Sequence, residues 1–580
     1  RRQGKHAAAL QTFDGLIALQ SGNAAAWCDR GAVLASLGRH REAWASYDKS
    51  LALDPDLAVA WYGSALLYSS LRQHDAALKC FQRVLALEPD NAEAACKLGE
   101  ALRPLGRDEE ALMAFADALR IDPDYPFVRG EVAWLKLHRC NWAGLEAAIE
   151  ATVRGVREGK LASMPLDLIT MSDSAADQLA CARAYTGHIC KNPAAALWRG
   201  EQYGNPRIRL AYVSADFRDH PVAYLIADLL ERHDRSRFEV FGYSLGAESA
   251  SRLGARARNA FEHFSIVKDV GDEEVARRLR EQEIDIAVDL MGPTLHSRPQ
   301  VFALRPCPVQ VNYLGYPGTM GTGFHDYIIA DARVIPPGME RHYAEKVVRL
   351  PDSFQCNDSR RSAVAQAPGR TGAGLPQVGV VYCCFNNSAK ITPAVFDSWM
   401  RILREVPGSV LWLFAEHPIL QGNLRKEAQA RGIDPQRLVF APRADYTEHL
   451  ARLSLADVFL DTLPFNAGTT ASDALWAGVP VVTRPGEAFA ARMASSLLHA
   501  IGMPDLITNT PEAYVALAVR LGNDPAFLAA TKATLAANRS TKPLFDTDRF
   551  RRHLEAAYVA MWERTQRGEP PVDITVAAVS

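Results

Sequence analysis

The first 126 residues of the chain repeat at a fixed interval. An acidic residue followed by proline recurs every 34 residues, at Asp54, Glu88 and Asp122, and a similar apolar run precedes each pair. Small and aromatic residues return in the same frame: Ala43, Ala77, Ala111, Tyr47, Phe81 and Phe115. In stacked helix pairs, small residues let neighbouring helices approach closely and aromatic rings fill the space between them. The repeat therefore predicts an α superhelix made of paired helices.

This period and residue pattern are typical of tetratricopeptide repeats, which we predict for residues 1–125. Ala9 and Phe13 fit the second helix of an earlier repeat, so we expect the chain to begin in mid-repeat, as a trimmed piece of a longer protein. The Asp-Pro-Asp sequences at Asp54 and Asp122 look like a metal-binding motif. Since they fall in the repeat turns, where Asp and Pro are good turn formers, we interpret them as turns.

Length and composition exclude several classes of protein. A chain of 580 residues is expected to form about three or four domains. The formal net charge of −2 gives no reason to expect nucleic acid as a partner. The ten cysteines include no CxxC pair, which favours buried thiols in a reducing cytoplasm over disulfides or a zinc site. No apolar run approaches 18 residues, so we expect no membrane partner.

Changes of pattern predict the domain boundaries. Residues 126–204 stay helical but lose the period, which indicates a helical connecting segment. Strand-like runs then alternate with amphipathic helices over residues 205–357 and again over 378–580, as in two Rossmann-like domains. Between them, residues 358–377 are rich in Ala, Gly, Arg and Ser and are interpreted as a linker. We assign the long amphipathic helix at the chain end to the second of these domains.

The segment of residues 456–486 carries the clearest sign of a ligand. Its pattern predicts a buried strand, a polar loop, a helix that begins at Thr469, and a second buried strand. The Gly468-Thr469-Thr470 start offers free backbone N–H groups and two hydroxyls to an anion. Asp473 follows about one turn later, within reach of a ribose when a phosphate occupies the helix start. This layout predicts a nucleotide-diphosphate site.

Other polar residues follow predicted strands, where the ligands of parallel sheets bind. His220 precedes a proline at a helix start, where it can act as a base, donate to a sugar, or simply cap the helix. Lys390 lies where its ammonium could meet a diphosphate, and Asn387 is in the same loop. Asp289 ends a strand and is equally well interpreted as a turn residue. The glycines of residues 318–323 do not form a dinucleotide fingerprint, and we interpret that segment as a flexible loop.

In these motifs the chain resembles the protein O-GlcNAc transferase family, as a bacterial member with N-terminal repeats. The resemblance rests on DFRDHP, FALRPCPVQVNYLGYPGT, DYIIAD, YCCFNNSAKI, TEHLARLSLADVFLDT, NAGTTASDALWAGVPVVTRPGE and TKPLFD. It implies a GT-B fold and an inverting, metal-independent transfer of N-acetylglucosamine from UDP-GlcNAc to Ser or Thr hydroxyls of proteins. UDP-GlcNAc is then a substrate, and neither a cofactor nor a metal is expected.

The resemblance also implies roles for individual residues. Lys390 matches the lysine that neutralises the leaving diphosphate, and His220 matches the active-site histidine. The remaining matches are to the donor site: Thr469 and Thr470 at the phosphates after Gly468, Asp473 at the ribose, Ala444, His449 and Arg452 at the uridine, Asn387 where the family more often has Gln, and Gly315 near the sugar. The proton acceptor stays open among His220, a donor phosphate oxygen and a water relay to Asp289.

Two other functions fit the same sequence. Plant relatives with this architecture use GDP-fucose, so a protein O-fucosyltransferase is one alternative, and a non-catalytic repeat scaffold is the other. The scaffold is disfavoured because Lys390, Thr469, Thr470 and Asp473 are all present. We expect an acceptor polypeptide in the cleft, with the repeat superhelix as a further surface that could guide it. The asparagine ladder that animal members use to hold acceptors is missing, since Asp29, Gly63 and Lys97 stand at one of its positions and Ala32, Leu66 and Glu100 at the other.

Overall fold

The computed structural model of the chain describes residues 2–191, 195–361 and 369–579, with side chains from residue 6 onward. The chain forms two compact units. One comprises residues 1–135 with 161–163, and the other comprises residues 136–160 with 164–580.

Paired helices build the first unit, in which the first seven helices pack in succession, each against the next along the chain. They are α1 (Arg2–Leu19), α2 (Ala24–Ser36), α3 (His40–Leu53), α4 (Ala58–Ser70), α5 (His74–Leu87), α6 (Ala92–Leu102), α7 (Asp108–Ile121) and α8 (Val128–His138), whose last residues belong to the second unit. The repeated alanines and aromatic rings are buried, at Ala43, Ala77, Ala111, Tyr47, Phe81 and Phe115. The predicted helical repeats are therefore confirmed.

A parallel eight-stranded sheet forms the core of the first half of the second unit. Helices α9 (Leu145–Arg157), α10 (Pro165–Leu168) and α11 (Ala175–Ile189) precede it. Its own elements are β1 (Ile208–Ser214), α12 (Pro221–Arg232), β2 (Phe238–Ser244), α13 (Arg252–Asn259), β3 (His263–Ile266), α14 (Asp272–Glu281), β4 (Ile286–Asp289), α15 (Pro299–Ala303), β5 (Val309–Asn312), β6 (Tyr327–Asp331) and β7 (Lys346–Leu350). The strand order is β13-β7-β6-β5-β4-β1-β2-β3, in which β13 (Ile574–Thr575) comes from the chain end.

A parallel five-stranded sheet, ordered β10-β9-β8-β11-β12, forms the second half. Its elements are β8 (Val381–Cys384), α16 (Pro393–Glu405), β9 (Val410–Phe414), α17 (Pro418–Ala430), β10 (Leu438–Ala441), α18 (Tyr446–Leu453), β11 (Val458–Leu460), α19 (Thr469–Trp476), β12 (Val481–Val482), α20 (Met493–Ala500), α21 (Pro511–Asn523) and α22 (Pro525–Arg539). Both sheets bury apolar side chains on their two faces, which explains the nearly continuous apolar runs of their strands.

The chain end returns to the first half, which corrects the predicted extent of the second Rossmann-like domain. Helix α23 (Thr547–Gln566) packs the buried residues Leu554 and Tyr558 into the core of the first sheet. After it, β13 (Ile574–Thr575) pairs in parallel with β7. The sequence pattern showed an amphipathic helix correctly, but an apolar face does not specify which sheet it will cover.

The start of the predicted linker, residues 358–377, is packed structure. Asp358 and Arg361 are buried, and Asp358 pairs with Arg256 on α13. Residues 362–368 lie outside the described part of the chain, and a short 3-10 turn at Arg370–Ala373 follows. The Ala, Gly and Ser content suggested a linker, but ion pairs and a serine hydrogen bond hold the first four residues of this segment.

Buried thiols contribute to the packing of both units. All ten cysteines are free, and nine of them are buried. The prediction of buried thiols is confirmed for those nine. Across the described ranges, no helix combines the length and apolar character needed to cross a bilayer.

Candidate functional site

The helix start predicted to bind phosphate is present. Helix α19 begins at Thr469, directly after Gly468, in the loop that follows β11. Because glycine has no side chain, residue 468 cannot cap the helix, and the first N–H groups of α19 remain oriented toward the loop. A Cβ on Gly468 would lie 2.7 Å from Cε of Met493 and 3.1 Å from Oε1 of Gln355, so a larger residue there would have to displace the ends of these two side chains. The helix dipole adds a partial positive charge at this point.

Lys390 lies beside this helix start. Its Nζ donates to the carbonyl oxygen of Asn466 at 2.9 Å and lies 3.4 Å from the centre of the Phe465 ring. Burial lowers the pKa of Lys390 to about 8, and the nearby carboxylate of Asp461 only partly offsets this effect. The ammonium is thus poorly solvated and donates to a neutral carbonyl, so an incoming anion would interact strongly with it.

A chain of hydrogen bonds connects the Lys390 loop to α19. The hydroxyl of Thr470 donates to Oδ1 of Asn386 at 2.5 Å, and Nδ2 of Asn386 donates to Oγ1 of Thr462 at 2.8 Å. Asn387, the amide that the sequence singled out, is exposed, and its Oδ1 accepts from the backbone N–H of Ala389. Asn386 is therefore the residue of this pair that contacts Thr470, one of the two threonines predicted to bind phosphate, and sequence reasoning missed it.

Asp473 is buried one turn into α19. Its Oδ1 accepts hydrogen bonds from Nη1 of Arg361 and from the hydroxyl of Tyr446, both at 2.8 Å. Burial raises the pKa of Asp473, and the Arg361 guanidinium opposes that rise. Neither Arg361 nor Tyr446 was identified from the sequence. These two hydrogen bonds fix the orientation of the Asp473 carboxylate before any ligand binds.

The residues predicted to lie at the nucleobase form one cluster. Arg452 donates to the carbonyl oxygen of Pro442 and contacts Nδ1 of His449 at 3.2 Å, and its guanidinium lies 4.9 Å from the Phe385 ring centre. Burial and the Arg452 charge lower the pKa of His449 to about 4, so its imidazole is neutral near pH 7. Ala444 lies half-buried in the loop between β10 and α18. Because Nδ1 of His449 faces the Arg452 guanidinium, which can only donate, the neutral ring carries its proton on Nε2 and can donate a hydrogen bond from there.

His220 caps helix α12 in the first half. Its Nδ1 accepts the backbone N–H of Val222 at 3.3 Å and lies 3.5 Å from Oδ2 of Asp216. Burial lowers the pKa of His220, while the Asp216 carboxylate opposes this shift. Because the cap needs the Nδ1 lone pair, the neutral ring carries its proton on Nε2. In this state His220 is a hydrogen-bond donor at Nε2.

Asp289 is engaged within the first half. Its Oδ1 accepts the backbone N–H groups of Met291 and Gly292, and its Oδ2 lies 3.2 Å from Nε2 of His325. These are the contacts of a buried turn residue, which the sequence left as an equal possibility. The structure therefore adds no support for its role in a proton relay.

The loop after β5 is tightly packed. A Cβ on Gly315 would lie 1.9 Å from the carbonyl oxygen of Leu290, so only glycine fits. The glycine-rich segment of residues 318–323 is not flexible as predicted. Buried Glu345 accepts from the hydroxyl of Thr319 and from the backbone N–H of Met320 at 2.7 Å. Glycine content suggested mobility, but a carboxylate 25 residues away fixes the segment.

Three contacts join the two halves around α19. Gln355 donates to Oγ of Ser472 at 2.7 Å, and Arg361 pairs with Asp473. The Tyr224 and Tyr446 rings stack with their centres 3.8 Å apart. The carboxyl ends of β1 and β8, which His220 and Lys390 follow, belong to the two halves that these contacts connect. The structure thus brings together the Lys390, α19 and His449 groups, while His220, Asp289 and Gly315 lie on the first half.

The family model described as glycosyl transferase family 41 matches residues 186–367 and 362–554. The chain belongs to glycosyl transferase family 41. A tetratricopeptide-repeat model matches residues 1–58 and 62–126. The family resemblance stated from the motifs is therefore confirmed.

Curated relatives match nearly two thirds of the chain. A probable UDP-N-acetylglucosamine–peptide N-acetylglucosaminyltransferase of Arabidopsis thaliana is 38% identical over 375 residues, which are 63% of this chain and 38% of that protein. A UDP-N-acetylglucosamine–peptide N-acetylglucosaminyltransferase of Caenorhabditis elegans is 30% identical over 481 residues, with 64% and 42% of the two chains covered. The chain spans about two fifths of the length of these relatives.

A solved structure matches nearly the whole chain. A mutant of the O-GlcNAc transferase of Thermobaculum terrenum is 28% identical, with a TM-score of 0.68, and the match covers 94% of this chain and 99% of that one. Tetratricopeptide repeats followed by two parallel-sheet halves of the GT-B fold are the architecture of this family 41 chain, as predicted. The roles of individual site residues stay predictions.

Proposed function

We propose that this family 41 chain transfers N-acetylglucosamine from UDP-GlcNAc to Ser or Thr hydroxyls of proteins, with inversion at the anomeric carbon. The observation that carries the proposal is the placement of the Lys390 ammonium beside the uncapped start of α19. A cation and a helix N-terminus at one point provide a site for a diphosphate leaving group without a metal. The names of the relatives give the donor and the class of acceptor.

The reaction forms one bond and breaks another at the same carbon. The acceptor hydroxyl oxygen attacks the anomeric carbon as the bond from that carbon to the β-phosphate oxygen breaks. UDP leaves from the opposite face with the electron pair, which inverts the configuration. Lys390 and the first N–H groups of α19 stabilise the negative charge that develops on the diphosphate.

The acceptor proton has three candidate destinations. His220 in its capping state already carries the Nε2 proton, and both Asp289 oxygens are engaged in the first half. These contacts favour a phosphate oxygen of the donor as the proton acceptor. His220 then serves as a hydrogen-bond donor to the sugar or to the acceptor.

We expect replacement of His220 to separate these roles. His220→Ala should retain UDP-GlcNAc binding but lose about 10- to 100-fold in kcat, because one hydrogen bond of about 1.5–3 kcal/mol to a developing charge is lost. His220→Asn is the matched control, since asparagine caps helices well but presents no Nε2 donor. Turnover should fall in both variants, with a lower melting temperature only in the alanine variant. Normal kcat in both would reduce His220 to a helix cap.

We expect activity to fall at alkaline pH. The pKa of Lys390 is about 8 in the unliganded enzyme, and the charged form is needed, so kcat/KM should be constant below about pH 8 and fall above it. The decline should approach about tenfold per pH unit. Initial rates between about pH 6.5 and 9.5 test this range, in which His449 is already neutral. A flat profile to about pH 9.5 would contradict the assigned role of Lys390.

Calorimetric titration of the purified protein tests the function itself. UDP, UDP-GlcNAc, GDP and GDP-fucose are titrated without added metal and again with a chelator, and mass spectrometry then follows transfer to Ser/Thr peptides. Selective binding of UDP and UDP-GlcNAc, unchanged by the chelator, supports the proposal. Selective GDP binding would make the chain a fucosyltransferase, and no binding would favour the scaffold.

The partners and compartment belong to the same proposal. We expect the acceptor polypeptide to enter the cleft, and the repeats to be a second surface for it. The cytoplasmic location and the absence of a metal requirement remain predictions made from the sequence.

A further inference from the structure

Two tyrosines meet where the halves of the second unit face each other. Tyr224 lies on α12 of the first half, one turn after His220, and Tyr446 is the first residue of α18 in the second half. Their ring centres are 3.8 Å apart and their planes are inclined by only 22°, which is a stacked arrangement. Tyr446 also packs against the apolar core of its own half, and Tyr224 packs against a small apolar cluster on α12 and α13, so the stack joins these two rings across the halves.

Tyr446 is also connected to helix α19, through Asp473. Its hydroxyl donates to Oδ1 of Asp473 at 2.8 Å, the same oxygen that accepts from Arg361. Among the described residues, both side-chain contacts of this carboxylate fall on Oδ1. A carboxylate has further lone pairs on its second oxygen, so Oδ2 can still accept from a ligand hydroxyl.

The two contacts of Tyr446 constrain it in different ways. The stack with Tyr224 fixes the plane of the ring, and the hydrogen bond fixes the position of the hydroxyl relative to Asp473. Since Arg361 approaches the same oxygen from the packed start of the predicted linker, the carboxylate is held by two separate parts of the second unit. Loss of the Tyr446 hydroxyl would remove one of two donors and let the carboxylate rotate around the remaining one.

We propose that Tyr446, held in place by Tyr224, is a positioning residue that aims Oδ2 of Asp473 at a ribose hydroxyl of the sugar nucleotide. The inference rests on the proposed function, because it requires a nucleotide at α19. It requires no particular base, since UDP and GDP carry the same ribose. Tyr446 acts through Asp473 and contacts no reacting atom.

Ribose discrimination provides the test. The affinities for UDP, 2′-deoxy-UDP and 3′-deoxy-UDP are measured by calorimetry for the full chain and for four variants. The unmodified chain should bind UDP more tightly than at least one deoxy analogue. Tyr446→Phe keeps the stack but loses the hydroxyl, and should reduce that preference at least about fivefold by weakening UDP binding while leaving the deoxy analogue unaffected.

The Tyr224 variants separate stacking from hydrogen bonding. Tyr224→Phe preserves the ring and should retain the full preference for UDP, whereas Tyr224→Leu should reduce it in the same way as Tyr446→Phe. Tyr68→Phe in the repeat unit, where the tyrosine hydroxyl contacts Trp44, is the control and should leave all affinities unchanged. Melting temperatures identify variants that fail to fold.

Each contrary result is distinct. An equal loss for UDP and its deoxy analogue in Tyr446→Phe, or no loss at all, would overturn the positioning role while the proposed function stands. A chain that binds UDP without preferring it to either analogue would overturn the role of Asp473 on which this one depends. If the chain binds GDP alone, the same series is run with GDP and its deoxy analogues. Failure to bind any nucleotide would overturn the proposed function and this inference with it.

Discussion

Replacing Lys390 with alanine is expected to abolish measurable transfer while the protein remains folded. The ammonium lies at the start of α19, where the leaving diphosphate must carry its new charge, and no metal is proposed to share that task. Removing one preorganised donor to a developing oxyanion reduces kcat by about 100- to 1,000-fold, and a full cation should matter at least as much. The measurement is initial-rate transfer to a peptide, with UDP affinity determined in parallel by calorimetry.

Matched variants make this result specific. Lys390→Gln retains a donor for the Asn466 carbonyl but has no charge, so it should be nearly as inactive as the alanine variant. Lys426→Ala removes an exposed lysine on α17 in the same half and should leave both kcat and the melting temperature unchanged. Near-normal turnover by Lys390→Ala would contradict the proposed mechanism, since no other cation has been assigned to the leaving group.

The features that sequence reasoning found are local in the chain. The start of α19 was predictable because a strand, a loop and Gly468-Thr469 follow one another directly, and hydrophobic patterning gave the strand and helix on either side. The same is true of Lys390, which lies just after a strand in a doubly wound fold. The local sequence shows which strand each of these side chains follows. The parallel topology then brings the loops after those strands to one edge of the sheet.

The features that were missed depend on contacts between distant residues. Arg361 reaches Asp473 across 112 positions, and Tyr446 reaches it across 27. Nothing in the composition around Arg361 distinguishes it from a solvated linker residue. One signal was available for Tyr446, because an aromatic residue at the beginning of a helix that also carries His449 is unusual for an exposed helix start.

The chain end shows the same limit at the level of domains. Helix α23 had a clear amphipathic pattern, but its apolar face could have covered either sheet. Packing determines which sheet α23 covers, since Leu554 and Tyr558 fill space in the core of the first sheet. The pairing of β13 with β7 adds to this, but its two residues are too few to show a strand pattern in the sequence. Domain boundaries predicted from changes in the sequence pattern cannot show that a later segment returns to an earlier domain.

Replacing Asp473 with asparagine is expected to weaken both nucleotide binding and the fold. The Arg361 side chain is only 1% exposed, so neutralising its partner leaves a buried guanidinium whose other side-chain acceptor is Asn357. The loss of stability should be about 3 kcal/mol, at the low end for breaking a buried ion pair because the amide oxygen still accepts a hydrogen bond. UDP affinity should fall about 10- to 100-fold as the charged acceptor for the ribose is lost.

A double variant distinguishes the two effects. Replacing both members of a buried ion pair with apolar residues of similar size is often nearly neutral for stability, so Arg361→Met with Asp473→Leu should regain most of the lost melting temperature. It should not regain UDP affinity, because the ribose still lacks its acceptor. Asp457→Asn is the control. It breaks the half-buried ion pair with Arg370 before the start of β11, whereas the α19 loop follows the end of that strand, so it should lower stability without changing UDP affinity. Wild-type UDP affinity in Asp473→Asn would show that the carboxylate holds the two halves together and does not bind the ribose.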